Sequence, residues 1–432
     1  MLTKPQAVSL PLVLVLINYW EGKRFNFLAL KALIPFFLLS LLFGFMALQL
    51  MDDNVSEYSF LEQILLSGHA CFLYLLKGIA PFELSHYMEI PLAGEIPGYY
   101  YLSALFSMLL LFVGFWFGRN NRLIGFGVGF FTVTLIFSLH LLKINSGLAY
   151  DRFTYLPYIG LFLAFIGFIK LPKKIIGNKL VYSCAILLII SFGLLANQRS
   201  RVWENDDTLW VNSIETDPSN KMGWCKRARY YTSIGLYDKA LADQQKCVEL
   251  SIKKADALVN RGNIYRGMGK LNTALADYSE AIKQEPNYSL AYSCRGVLLF
   301  QSGNKEGIED LKKAIEFDPS SSSHQVNLGL AYELNREFKI SIELYSKAIE
   351  LNPYDYLAWK YRGSLLLLMG NTKQAISDLE KAISLRPDFG EAWYNLSKAN
   401  DKINKVVLAK KQLEKAILLG AKVDDEDREK LN

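Results

Sequence analysis

The chain is poor in the residues that most often do chemistry. Only four histidines occur in 432 residues: His69, His86, His140 and His324. None has a cysteine or carboxylate at metal-ligand spacing, so no metal site is expected. The five cysteines include no C-x-x-C pair, which excludes sites built on that motif. Phosphate loop, dinucleotide fingerprint and nucleophile elbow are all missing, and no cofactor is expected. Charge of one sign is scarce too. Forty-eight basic residues against 42 acidic ones leave +6, spread over short loops and scattered surfaces, which makes no case for nucleic acid. Nor is there a cleavable signal: Met1-Leu-Thr-Lys runs straight into an apolar stretch broken by Pro11.

Apolar residues, by contrast, are abundant. They make up 51% of the chain, and the mean hydropathy is +0.14. The excess lies before residue 200, in runs near 32–51, 98–118, 124–142, 153–170 and 180–197. At ~1.5 Å per residue, ~20 residues cross a ~30 Å hydrocarbon layer. Core helices of a soluble protein are the competing explanation, but serial runs rich in glycine and aromatics, with no polar face, argue for membrane spans. The run 8–20 is shorter and reads as a partial span. The run 60–80 carries Glu62, His69 and Lys77 and is placed at the interface or inside the bundle. Basic loops around Lys23, Arg24 and Lys31, around Arg119 and Arg122, and around Lys170, Lys173, Lys174 and Lys179 alternate with acidic or mixed ones. The positive-inside rule puts the basic loops in the cytoplasm and everything after Asn197 outside, on the periplasmic or lumenal side of the membrane. Met1 then also lies outside, so the sequence begins like the middle of a larger membrane protein.

From Met222 the pattern changes to a 34-residue beat. Pro286, Pro319, Pro353 and Pro387 keep it, as do Gly262, Gly296, Gly329 and Gly363. So do the small sets Ala240, Ala274, Gly307, Ser341, Ala375, Ala409 and Cys247, Ala281, Ala314, Ala348, Ala382, Ala416. Small residues let paired antiparallel helices touch, and each proline stops the second helix. With Trp224, Trp359 and Trp393 at the first aromatic position and Tyr231, Tyr265 and Tyr332 at the next, this is the tetratricopeptide (TPR) pattern. The expected fold is all-α: a polytopic transmembrane helix bundle followed by a TPR α-solenoid. The domains are 1–198 for the bundle, 199–220 for a capping helix around Trp203, Leu209, Trp210 and Ile214, 221–423 for six repeats, and 424–432 for a solvated charged tail.

A TPR stack is a binding surface, so a protein or peptide partner is expected in the groove lined by the first helices. Those positions supply Arg229, Asn263, Arg266, Ser293, Glu333 and Lys360. Cys225 and Val259 stand where a chaperone-type carboxylate clamp would need its first lysines, which argues against such a clamp. Cys225 and Cys247 face each other across one helix pair. They read as two small core residues, with an extracytoplasmic disulfide as the alternative. At the outer membrane face Lys143 ends one span and Asp151-Arg152 begins the next. This arginine could hold a lipid phosphate in a bidentate grip, or the pair could simply cap a helix end; local chemistry alone favours the cap.

Two stretches carry a family likeness. Lys4-Pro-Gln-Ala-Val-Ser-Leu-Pro and Asp151-Arg-Phe-Thr-Tyr-Leu-Pro-Tyr-Ile-Gly160 resemble segments of the transmembrane and tetratricopeptide repeat-containing proteins, whose order of bundle then extracytoplasmic repeats is the same. The resemblance is to a bacterial-type relative. It implies a C-type glycosyltransferase-like protein that uses a lipid-phosphate sugar donor, a polyprenyl-phosphate sugar, to glycosylate proteins. Lys4, Lys143, Asp151 and Arg152 would then contact membrane lipid or donor phosphate. In that family the catalytic acidic loop precedes the Lys-Pro segment, and no stretch of this sequence corresponds to it, so no catalytic residue is assigned. The leading expectation is a membrane-anchored interaction scaffold. The alternative is the C-terminal part of such a transferase.

Overall fold

The computed structural model describes residues 9–22, 27–49, 58–79, 90–91, 93–136, 139, 155–168, 179–251 and 254–429. Among these residues there are twenty-one helices and no strand. The chain divides into two units, 1–227 and 228–432.

The first unit holds α1 (Leu10–Trp20), α2 (Phe27–Gln49), α3 (Phe60–Ile79), α4 (Tyr99–Gly118), α5 (Arg122–Ile136), α6 (Tyr155–Phe168), α7 (Lys179–Val202), α8 (Asp206–Thr216) and the start of α9 (Lys221–Ser233). In α4 the usual distribution of polar and apolar groups is inverted. Helix α4 buries Tyr100, Ser103, Ala104, Ser107, Gly114 and Gly118, a row of mostly small residues at helical spacing. The opposite face, with Leu102, Leu105, Phe112 and Trp116, is exposed. Small residues let helix backbones approach closely, and hydroxyls then bridge them. Ser107 donates to the Gly68 carbonyl at 3.0 Å, and a Cβ built on Gly68 would meet that of Ala104 at 2.5 Å. Helix α3 turns Leu66, Ala70 and Tyr74 inward with Ser67, His69 and Lys77. His69 Nδ1 lies 2.7 Å from Ser103 Oγ. Leu66, Ala70 and Tyr74 form one cluster with Tyr100, Phe131 and Leu135.

Five full spans were expected here; among the described residues one helix, Tyr99–Gly118, is long and apolar enough to cross a membrane. A polytopic bundle is therefore not supported. Helices α5 and α6 are apolar over the 15 and 14 residues described for them, about 22 Å at the α-helical rise.

Asn205 caps α8 by accepting from the Thr208 backbone at 2.9 Å, and Thr208 returns the bond. Helix α8 ends at Thr216, just before Pro218. Trp224, on α9, donates its indole N–H to the Pro218 carbonyl at 2.9 Å.

The second unit is a series of helix pairs. After α9 come α10 (Tyr237–Leu250), α11 (Ala255–Gly267), α12 (Leu271–Gln284), α13 (Ser289–Gln301), α14 (Glu306–Phe317), α15 (Ser322–Leu334) and α16 (Phe338–Leu351). Then follow α17 (Tyr356–Leu368), α18 (Thr372–Leu385), α19 (Gly390–Lys402), α20 (Val406–Leu418) and the short α21 (Asp425–Glu429). Three contacts recur and explain the beat of the sequence. First, Gly262 and Gly329 lie so close to the rings of Tyr278 and Tyr345 that an added Cβ would sit at 2.5 and 2.6 Å. Second, Trp359 and Trp393 each donate to the carbonyl of the proline six residues earlier, at 2.9 Å. Each proline that stops one pair thus anchors the next. Third, Arg261, Arg295 and Arg362 grip Asp277, Asp310 and Asp378 with two hydrogen bonds apiece.

The turn inside each pair is equally regular. One residue adopts the left-handed conformation: Gly235, Gly269, Gly303, Arg336, Gly370 and Asn404, with φ between 59° and 87°. The following N–H bonds back to the first helix, as from Lys270 to the Tyr265 carbonyl at 2.9 Å and from Glu337 to that of Tyr332 at 2.9 Å.

Candidate functional site

The first helices α11, α13, α15, α17 and α19 touch one another in series, each as well as its own partner. They form one continuous wall of the second unit, which carries Asn263, Arg266, Ser293, Glu333 and Lys360, while Arg229 is on α9, the first helix of the preceding pair. Their states differ sharply.

Asn263 accepts from the Tyr278 hydroxyl at 2.8 Å. Ser293 is buried and accepts from Asn327 at 3.0 Å. Glu333 accepts from the Tyr345 hydroxyl at 2.6 Å. Burial first, and the Glu333 carboxylate second, push the Tyr345 phenol above its ordinary pKa. Lys360 is buried, pairs with Glu391 at 2.8 Å and lies 3.9 Å from the Tyr361 ring centroid. These four side chains are thus engaged inside the wall. Arg229 and Arg266 are exposed. Arg266 is close enough to Cys294 and Tyr278 to oppose the rise that burial imposes on both groups.

Sequence reasoning did not find three features of this wall. Leu334 and Leu368 close their first helices with 68% and 65% of their surface exposed. Their equal place in successive repeats, 34 residues apart, was the available signal. At the far end the acidic 424–427 stretch, expected to be solvated, turns back onto the wall. Lys398 Nζ lies 2.9 Å from the Asp424 carboxylate and 3.5 Å from that of Asp427. The Tyr394 hydroxyl lies 2.8 and 2.7 Å from the same two groups. Burial opposes the charge on Lys398, but hydrogen bonds to Tyr394 and Asp424 outweigh it and hold the ammonium above its ordinary pKa. A space of about 300 Å³ beside it is lined by Ser397, Lys398, Asp401, Lys410 and Asp427, among others. The third is His324, buried on α15, whose Nδ1 has no hydrogen-bond partner among the described residues.

Cys225 and Cys247 are disulfide-bonded, while Cys71 and Cys294 are free thiols. The pair read mainly as small core residues is therefore covalently engaged. The lipid-phosphate candidates Lys4, Lys143, Asp151 and Arg152 lie outside the described residues. Among the described residues no cluster of histidine, cysteine or carboxylate is arranged to hold a metal ion.

Stacked helix pairs with one shared wall of first helices define the second unit as an α-solenoid of the binding type. A family model described as TPR repeat matches residues 262–303. Models described as tetratricopeptide repeat match 344–377 and 223–251 with 325–355. The chain carries tetratricopeptide repeats.

Among curated relatives, Protein O-mannosyl-transferase TMTC3 of Mus musculus is 24% identical over 249 residues, 57% of this chain and 25% of that protein. DnaJ homolog subfamily C member 3 of Bos taurus is 26% identical over 185 residues, 43% of this chain and 33% of that protein. The chain thus spans a quarter to a third of the length of these relatives. Among solved structures, a tetratricopeptide repeat protein from Parabacteroides merdae aligns at 20% identity and TM-score 0.43, covering 56% of this chain and 97% of that one. YrrB, described as a TPR protein with an unusual peptide-binding site, aligns at 20% identity and TM-score 0.30, covering 42% and 95%.

Proposed function

We propose that the protein is a membrane-anchored TPR interaction scaffold whose repeats, on the extracytoplasmic side, hold a segment of a partner protein. The observation that carries this reading is the series of first helices, which keeps Arg229 on α9 and Arg266, Leu334 and Leu368 on the wall exposed while Asn263, Ser293, Glu333 and Lys360 are paired internally. Exposed arginines and large aliphatics on a rigid repeat face are what a protein interface uses.

Anchoring is supported by the first unit, where α4 presents large apolar residues outward and hydroxyls inward. Lipid outside and polar pairing inside is the distribution a bilayer favours. The disulfide-bonded state of Cys225 and Cys247 supports an oxidising compartment for the repeats. On this reading 1–198 is the anchor, 199–220 the cap and 221–423 the binding array.

A photo-crosslinking amino acid placed at Leu334 or Leu368, in native membranes, should capture one partner band. The same probe at Glu350, on a second helix, should not. Equal capture from both places would refute the groove. Protease added to intact spheroplasts should digest the repeats; protection there would reverse the orientation.

A second reading is favoured by one observation. The match to the O-mannosyl-transferase covers 57% of this chain, more than the repeat unit 228–432 occupies. It therefore reaches into the first unit, in keeping with the C-terminal part of a lipid-phosphate-sugar transferase. Glycosyl transfer from a polyprenyl-phosphate sugar, measured against Arg152→Ala, tests it: transfer that is undiminished by the substitution removes Arg152 from donor binding.

A further inference from the structure

The repeats differ in who answers the charges on the inner wall. In the later repeats the chain supplies the partners itself: Glu333 with Tyr345, Lys360 with Glu391, Lys398 with Asp424 and Asp427. Arg229 and Arg266, in the first two repeats, are exposed and make no hydrogen bond or ion pair among the described residues.

The contrast is sharpest between equivalent positions. Arg229 follows Ala228 and Lys398 follows Ser397, the same place in the first and sixth repeats. Lys398 receives two carboxylates from the turn that follows its repeat, at residues 424 and 427. Asp424 and Asp427 follow Lys398, and at the same places after Arg229 stand Ala255 and Leu258, both buried and neither acidic. Asp256 beside them is already engaged by the Tyr288 hydroxyl at 3.0 Å and by Asn260 at 3.3 Å. The molecule thus displays its own example of a wall cation holding an acidic segment. At the other end it leaves the same kind of cation without one.

We propose that the first two repeats bind an acidic segment of a partner protein, with Asp or Glu side chains taken by Arg229 and Arg266. This rests on the scaffold reading above and adds the chemistry of the ligand. Guanidinium groups suit carboxylates because two parallel N–H groups match two oxygens.

The test pans a random displayed-peptide library against the full chain in nanodiscs of neutral lipid, with Arg229→Gln, Arg266→Gln and the double variant in parallel. The expected result is enrichment of peptides rich in Asp and Glu. Their affinity should fall about tenfold for each arginine removed, and with added salt. Far-UV circular dichroism checks that the variants keep the wild-type helix signal. Enrichment of neutral or basic peptides, or acidic peptides held equally by the double variant, overturns the inference but leaves the scaffold reading standing. Displacement of the acidic peptides by phosphatidylglycerol vesicles from wild type but not from the double variant would assign the arginines to lipid and also overturn it. No enrichment by wild type over empty nanodiscs would overturn both readings.

Discussion

Replacing Arg362 alone will loosen the fifth repeat far more than replacing Arg362 and Asp378 together. Arg362 Nε and Nη2 lie 2.8 and 3.0 Å from the two oxygens of Asp378, and Nη1 reaches Ser346 on the preceding second helix at 3.0 Å. The guanidinium also sits 5.0 Å from the centre of the Trp359 ring. The Asp378 side chain is only 7% exposed, and that of Arg362 21%. Arg362→Leu therefore strands a carboxylate away from water, and breaking a buried pair in this way costs about 3–5 kcal/mol. Asp378→Leu is milder, about 1–2 kcal/mol, because the long arginine can swing its charge back into solvent.

The protein already contains the double replacement. In the fourth repeat the equivalent residues are Leu328 and Leu344, which pack together with Leu311 and Ala331. Arg362→Leu with Asp378→Leu should accordingly fall within about 1 kcal/mol of wild type, since apolar isosteres of a buried pair are often neutral or stabilising. Hydrogen exchange of α17 and α18 in the full chain reads the local opening free energy without assuming that all repeats unfold together. Single-variant losses that simply add in the double variant would refute the argument, because they would mean the leucine pair of the fourth repeat owes its fit to its neighbours rather than to the pair.

Three further outcomes follow from the repeat geometry. Arg336 holds the left-handed turn position that glycine holds in four of the repeats, at φ 63°. Arg336→Gly should thus slow exchange in α15 and α16 by a free energy of about 1 kcal/mol, and faster exchange would contradict the strain. A Cβ on Gly329 would meet the fully buried ring of Tyr345 at 2.6 Å. Gly329→Ala should destabilise the fourth repeat by about 1–3 kcal/mol through overpacking, and an unchanged protection pattern would show that the ring can yield. Burial lowers the His324 pKa below its ordinary 6.5, with Asp318 acting weakly against it. The unfolded chain then binds the proton more readily, so stability is intact above about pH 6.5 and declines as pH falls through the folded-state pKa. His324→Gln should flatten that acid limb for α15; a limb of unchanged slope would assign it to other groups.

The sequence showed the repeats clearly because each structural requirement is written several times over. Gly262 and Gly329 are small for the same reason, the ring of Tyr278 or Tyr345 above them. Proline and tryptophan share a rhythm because one supplies the carbonyl that the other binds. A single glycine or tryptophan would have meant little; its recurrence at a fixed interval carries the information. The first unit has no such redundancy. Its apolar runs announce helices, but hydropathy alone does not separate the exposed face of α4 from the Ser103 and Ser107 side packed on α3.

The candidate site was half legible for a related reason. Helical periodicity is local, so it assigns Arg229, Asn263, Arg266, Ser293, Glu333 and Lys360 to first helices. Whether each is free to meet a ligand depends on residues far away in sequence. Lys360 is taken by Glu391, 31 positions on, and Ser293 by Asn327, 34 positions on. Those partners become neighbours only once two repeats stack. The same stacking sets Asp424 and Asp427 against Lys398 but Ala255 and Leu258 beyond Arg229. In a repeat protein the consensus positions reveal the fold. Binding preference lies in the places where one repeat fails to supply what the next one does, and those are found by comparing equivalent positions rather than by searching for a motif.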